Sequence, residues 1–176
     1  MINIQEYLLS KKNKHADADV VTATDKNIRQ LVENAIEEHG VDADLNFIDV
    51  SQVTNMYALF EYSDFCGDVS AWDVSRVTNM DSMFYCARMF NCDISDWDVR
   101  NVINFNYMFQ GADVFNQPIR TWKTEKAEHM KQMFYDADKF EQDLTNWQVD
   151  NVVEHSLMFS GSAMGSKRNL WPKFKD

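Results

Sequence analysis

Side chains able to do chemistry are few in this chain, and their spacing decides what each can do. His129 and His155 share no motif with a cysteine or an acid, so each reads as a surface or edge imidazole rather than a ligand or base. Cys86 and Cys92 stand six apart. They could form a redox pair, yet the spacing across a turn fits small half-buried residues better. With Cys66 the cysteines are odd in number and follow no framework pattern, which suits reduced thiols in a cytoplasm. No glycine-rich phosphate loop, Cys-x-x-Cys, His-Glu-x-x-His or Gly-x-Ser-x-Gly occurs. We therefore expect no catalytic residue, no cofactor and no metal.

Aspartate is the one polar residue that recurs in register. Asp49, Asp73 and Asp98 occupy one column, continued by Lys123 and Gln148. Stacked like charges repel, so the column could be an acidic patch facing a basic partner, with Asp96 beside it. Alternatively, each Asp closes its own turn by accepting from nearby backbone donors. A metal would need carboxylates converging from more than one column. Asp68, Asp93 and Asp143 fill a second such slot, but Pro118 interrupts it, which marks a turn rather than a ligand set. Asn91, Asn116 and Glu141 fill a further turn slot able to bond adjacent coils.

Behind these columns lies an internal repeat. Trp72, Trp97, Trp122 and Trp147 are spaced by 25, as are Phe84, Phe109, Phe134 and Phe159. Phe65, Phe90, Phe115 and Phe140 keep the same period. Five coils begin at Leu45, Val69, Ile94, Ile119 and Leu144. The opening of each, such as Val69-x-x-Trp72-x-Val74, has the spacing of a short parallel strand in leucine-rich repeats. The second half, such as Met80-x-x-Met83-Phe84-x-x-Ala87, has the three-and-four spacing of a short helix. The expected fold is thus α/β: a right-handed, leucine-rich-repeat-like solenoid with parallel strands on one face and short helices on the other. No coil can bury its own Trp and Phe, so stability must come from stacking.

Residues 1–43 form a leader and a cap, residues 44–164 the five coils, and residues 165–176 a C-terminal cap or tail. In the front cap, Val20-Val21-Thr22 reads as a strand, followed by a helix started by Asp25 or Thr24. Ile28, Leu31, Val32, Ala35 and Ile36 form its apolar face, and His39-Gly40 ends it. With the strand of coil one it makes a βαβ unit. At the other end Leu170, Trp171 and Phe174 could fold over coil five or seek a partner.

The phrases Trp72-Asp73-Val74-Ser75-Arg76-Val77-Thr78-Asn79-Met80-Asp81-Ser82-Met83-Phe84 and Phe115-Asn116-Gln117-Pro118-Ile119 resemble the BspA-like surface-protein repeat, also described from mycoplasma lipoprotein-associated repeats. The resemblance covers residues 44 to about 164. It implies a leucine-rich-repeat-type fold, binding and no enzymatic activity. Larger members are bacterial adhesins or surface antigens with an export signal, a lipid-attachment cysteine or long arrays, none of which this sequence shows. The segment Glu6-Tyr7-Leu8-Leu9-Ser10-Lys11 before a capping helix resembles short stand-alone members from gut bacteria and their phages.

Composition narrows the partner. A net charge of −11 repels nucleic-acid phosphates and anionic membranes and permits a protein with a basic surface. The start has no secretory pattern and no apolar run is long enough to span a bilayer, so a cytoplasmic location is expected. The expected role is protein recognition, as a phage- or mobile-element-encoded binder or inhibitor of a host protein. A surface adhesin is the alternative, and an acidic nucleic-acid mimic a weaker one. The partner is expected to touch Asp73, Asp96, Asp98, Arg100 and Lys123 on the sheet face, where the outward columns diverge between coils.

Overall fold

The computed structural model describes residues 20–175. The leader that includes Glu6 to Lys11 lies outside the described residues. Strand β1 (Val21–Thr22) pairs in parallel with β2 (Ile48–Asp49), in the register Val21 with Ile48 and Thr22 with Asp49. Between them runs α1 (Ile28–His39). Its Ile28, Val32 and Ala35 are buried and Leu31 and Ile36 pack against the core, as the apolar spacing predicts. Gly40 ends it at φ 95°, its N–H donating to the Ile36 carbonyl at 2.9 Å. Neither Asp25 nor Thr24 caps the start. Asn27 holds that position without a side-chain cap bond, and Asp25 is turned toward coil one.

Beyond β2 the secondary structure departs from expectation. No further strand of two residues or more, and no further α-helix, is present among the described residues. The coils are joined by single-residue parallel bridges in the file Asn55, Asn79, Asn104, His129, Glu154. These bridges lie beside the half read as helical, while the half read as a strand is a series of turns, Trp72 N–H to Val69 carbonyl and Val77 to Val74. The reason is that i→i+3 turns in series reproduce helical spacing. Met83 N–H donates to the Met80 carbonyl and Ala87 to Phe84, with Ser82 at φ 57° and Cys86 at φ 52° as the third residue of each turn. Those two left-handed residues prevent a helix from forming.

The apolar columns fill the centre. Phe60, Phe84, Phe109, Phe134 and Phe159 stack in one file with centroids 5.2–5.8 Å apart and rings within 7° of parallel. Phe90, Phe115 and Phe140 stack on them at 3.8–4.0 Å. Each repeat Trp is buried and its indole N–H donates to the carbonyl that opens the preceding coil: Trp72 to Leu45, Trp97 to Val69, Trp122 to Ile94, Trp147 to Ile119. Thr124 stands where other coils have Val, and its buried hydroxyl donates to the Gln148 carbonyl.

Residues 167–175 lie against coil five. Leu170 accepts from Leu144 N–H, Trp171 packs on Phe159 at 4.8 Å, and the Phe174 ring stacks on His155 at 3.9 Å. Among the described residues, no helix is long and apolar enough to cross a membrane.

Candidate interaction surface

The columns that face away from the core are carried by turns, not by strands. Asp73 is exposed, and its Oδ1 accepts from the Ser75 N–H at 3.0 Å. Asp98 is half-buried and accepts from the Arg100 N–H at 3.3 Å and from its Nε at 2.7 Å. Asp49 does the same with Ser51. Each aspartate of this column therefore closes its own turn, and Arg100 folds back onto Asp98 in the same coil. Asp96 and Lys123 are exposed and enter no hydrogen bond or ion pair among the described residues. Of the five expected contact residues, the structure pairs only Asp98 with Arg100. The others share the same face of successive coils.

The second aspartate slot behaves alike. Asp68, Asp93 and Asp143 accept from the N–H groups of Ser70, Ser95 and Thr145. A third slot, at the bridges, uses Asn55, Asn79, Asn104 and Glu154 to accept from the residue two positions on. These bonds favour the charged carboxylate. The hydroxyl and N–H of Ser75 hold Asp73 below its ordinary value, and Ser95 does so for Asp93. Asn91 and Asn116 bond across coils instead, accepting from Asn116 N–H and Glu141 N–H.

Nucleophile and metal chemistry find little support in the geometry. Desolvation pushes the half-buried Cys92 thiol up to about 11, and its Sγ lies 3.5 Å from Asp68 Oδ1. Cys86 is also raised by burial, beside Tyr85 and Arg88, with no partner in common with Cys92. An open hollow of about 340 Å³ brings Asp42, Asp68 and Asp93 near Cys66 and Cys92. Even so, no three metal-ligating side chains converge among the described residues. His129 takes a bridge position in the file, and His155 lies under Phe174.

Two residues take roles that the sequence reading did not assign to them. Asp25 accepts from Thr54 N–H, Thr54 Oγ1 and Asn55 N–H, while Arg29 donates to the carbonyls of Tyr57 and Ala58. The spacing of four between Asp25, just ahead of α1, and Arg29 within it was the only signal available. Tyr62 and Tyr85 meet edge to face at 5.2 Å, and their contact raises Tyr85 to about 12.

The model of the family described as "Mycoplasma protein of unknown function, DUF285" matches residues 26–113 and 60–171. No curated protein and no solved structure matches the chain.

Proposed function

We propose, for a chain that belongs to the DUF285 family, a non-catalytic role in recognising one protein partner. In this reading the coils form a BspA-like, leucine-rich-repeat-type solenoid, right-handed and α/β in class. Its turn face offers Asp73, Asp96, Asp98, Arg100 and Lys123 to a partner with a basic surface. The specific form of that role is a phage- or mobile-element-encoded inhibitor of a host protein, acting in the cytoplasm, a reading supported by the likeness of the Glu6 to Lys11 segment to short members of the repeat family.

One observation carries the reading. The buried columns hardly change from coil to coil, whereas the outward ones do. Where coil two has exposed Ala71 and Asp73, coil four has Thr121 and Lys123, and coil five Asn146 and Gln148. Stacking constrains the core and leaves the outward positions free to be selected for a surface.

Asparagine at positions 73, 96 and 98 keeps the side-chain oxygen that accepts the turn N–H and removes the charge. The variant Asp73→Asn, Asp96→Asn, Asp98→Asn should melt like the parent. In capture from a bacterial lysate, the parent should retain one stoichiometric protein with strong salt dependence, and the variant should associate about tenfold more slowly or worse. Equal capture by both removes the turn face as the site. Recovery of only glycan or matrix material supports an adhesin instead.

A further inference from the structure

Tyrosine is unevenly spread over this chain. Five of the six tyrosines, Tyr57, Tyr62, Tyr85, Tyr107 and Tyr135, fall in the series of turns that forms the second half of coils one to four. Tyr57 and Tyr62 are 55 % and 69 % exposed, and the other three are half-buried. The phenylalanines of the same segments are buried. This side of the stack is therefore a row of rings with polar tips rather than an apolar patch.

One main-chain file sets the spacing of the rings. Tyr62 N–H donates to the Tyr85 carbonyl, Cys86 to Gln110, Gly111 to Tyr135 and Asp136 to Ser160, at 2.7–2.9 Å. Each N–H thus bonds a carbonyl of the next coil, and Tyr85, Gln110 and Tyr135 occupy successive steps of one column. A step measures 5.5 Å from coil two to three and 5.6 Å from three to four, by the Phe84, Phe109 and Phe134 rings beneath. Tyr62 braces Tyr85 edge to face at 5.2 Å, and Lys131 Nζ already stands 5.8 Å over the Tyr107 ring. Between Tyr85 and Tyr135, Gln110 is half-buried. Its Oε1 is the one buried side-chain oxygen or nitrogen among the described residues without a hydrogen-bond partner. Such an atom carries a desolvation cost that a hydroxyl donor would relieve. In the adjoining column Cys86 and Gly111 put little bulk beside it.

A repeating row fits a ligand that repeats at the same interval. Bond lengths near 1.5 Å give one ring of an extended β-1,4-linked hexose chain a span of about 5 Å, close to one coil step. Alternate rings of such a chain present the same face. An extended peptide repeats its facing every ~6.6 Å and a polyproline helix every ~9.3 Å, so both fall out of step with the column. Glu61, Asp81 and Asp136 on this side disfavour an acidic polysaccharide.

We propose that the column Tyr85, Gln110, Tyr135 binds a neutral, linear β-1,4-linked glucan chain. Two alternate hexose rings stack on Tyr85 and Tyr135. The ring between them donates a hydroxyl to Gln110 Oε1, which rotation about the soft terminal torsion of that side chain brings to the surface. The site lies in the second half of each coil, apart from Asp73 and Asp98 in the first, and neither surface depends on the other.

Isothermal titration calorimetry of the full chain with cellohexaose, maltohexaose and octaproline tests this. Cellohexaose should bind saturably, whereas octaproline and maltohexaose, whose α-linkages curl the chain, should not. Tyr85→Ala and Tyr135→Ala should each weaken cellohexaose binding about fivefold, and Tyr135→Phe should bind like the parent. Gln110→Leu should also weaken it about fivefold without lowering the melting temperature, because the oxygen it removes has no partner in the unbound chain. That variant keeps the test decisive where an alanine variant fails to fold. No binding of cellohexaose, equal binding of maltohexaose, or a Gln110→Leu or folded Tyr135→Ala variant that binds like the parent would each overturn the proposal. Binding of octaproline alone would overturn it in favour of a proline-rich peptide.

Discussion

Each tryptophan of the repeat acts twice, as a buried ring and as a donor. Trp97 is 4 % exposed, packs on Phe84 with centroids 6.3 Å apart, and bonds the Val69 carbonyl at 3.1 Å. Trp97→Ala should cost ~3–5 kcal/mol from lost burial and the cavity left behind. Trp97→Phe keeps most of the packing and removes one of two donors to the Val69 carbonyl, which retains the Trp72 N–H, a loss of about 0.5–1.5 kcal/mol. Urea unfolding of both variants checks the order, and a Trp97→Phe variant as stable as the parent would mean that the indole N–H contributes nothing. The buried role was legible from the 25-residue spacing alone. The donor role was not, because its acceptor is a main-chain oxygen in another coil, which no side-chain pattern records. The aspartates were legible only as alternatives. Asp73 and Asp98 close turns as the second reading required, and that use leaves the charge of Asp73 outward. Asp25 takes a role the sequence did not show. Burial raises its pKa, but the Thr54 hydroxyl and the N–H groups of Thr54 and Asn55 outweigh that and lower it. Asp25→Ala should destabilise the chain by about 1 kcal/mol, discounted for exposure, with Asp25→Asn closer to the parent. Thermal melts of the two would show it.

At the scale of one element, the segment read as a helix is a train of turns. Apolar residues three and four apart serve either structure, so periodicity cannot separate them. What separates them is the left-handed residue at every fourth position: Ala58 and Tyr62, Ser82 and Cys86, Tyr107 and Gly111, Gln132 and Asp136, Leu157 and Gly161. Two of these are glycines, Gly111 and Gly161, and both fall in the second slot. They were the available signal in the sequence, and eight non-glycine residues in the same conformation hid it. Gly111 sits at φ 66°, and a Cβ there would lie 3.0 Å from Cys86 Sγ. Gly111→Val should therefore lose about 2 kcal/mol or more, a β-branched residue being least tolerant of that φ. Conversely Gln132→Gly, at φ 51°, relieves a left-handed residue whose penalty of ~1–2 kcal/mol exceeds the ~0.5–1 kcal/mol entropic cost of glycine. It should raise stability slightly in denaturant titration. If it destabilises instead, the left-handed conformation at Gln132 is wrong. The front helix α1 was the most legible element, since its apolar face, final His39 and Gly40 all point to one answer.

Across the whole molecule, coils in contact only with their neighbours are expected to melt together, because none buries its rings alone. Acid should act on all of them at once. Asp49, Asp73, Asp93 and Asp143 are held below their ordinary values, chiefly by Ser and Thr hydroxyls and N–H groups two positions on. A lower pKa in the folded state means that the unfolded chain binds protons more readily. The stability these groups contribute is present above about pH 4, their unfolded value, and is lost as pH falls through the folded values. Melting temperature should hold between neutrality and about pH 5 and drop steeply below about pH 4. The sequence disclosed the buried columns, since those depend on side-chain type. It did not disclose the direction of the main-chain files, since those depend on peptide orientation. That direction decides which N–H groups are paired between coils, and residue-resolved amide hydrogen exchange tests it most directly. The N–H groups of Met80, Ser82, Phe84 and Cys86, and of Met130, Gln132, Phe134 and Asp136, should be strongly protected, each having an acceptor in the next coil. Those of Leu157 and Gly161 should exchange rapidly. Protection concentrated instead in the Val69 to Val74 segment and its equivalents, with fast exchange at Ser82, Cys86, Gln132 and Asp136, would contradict the directional ladder.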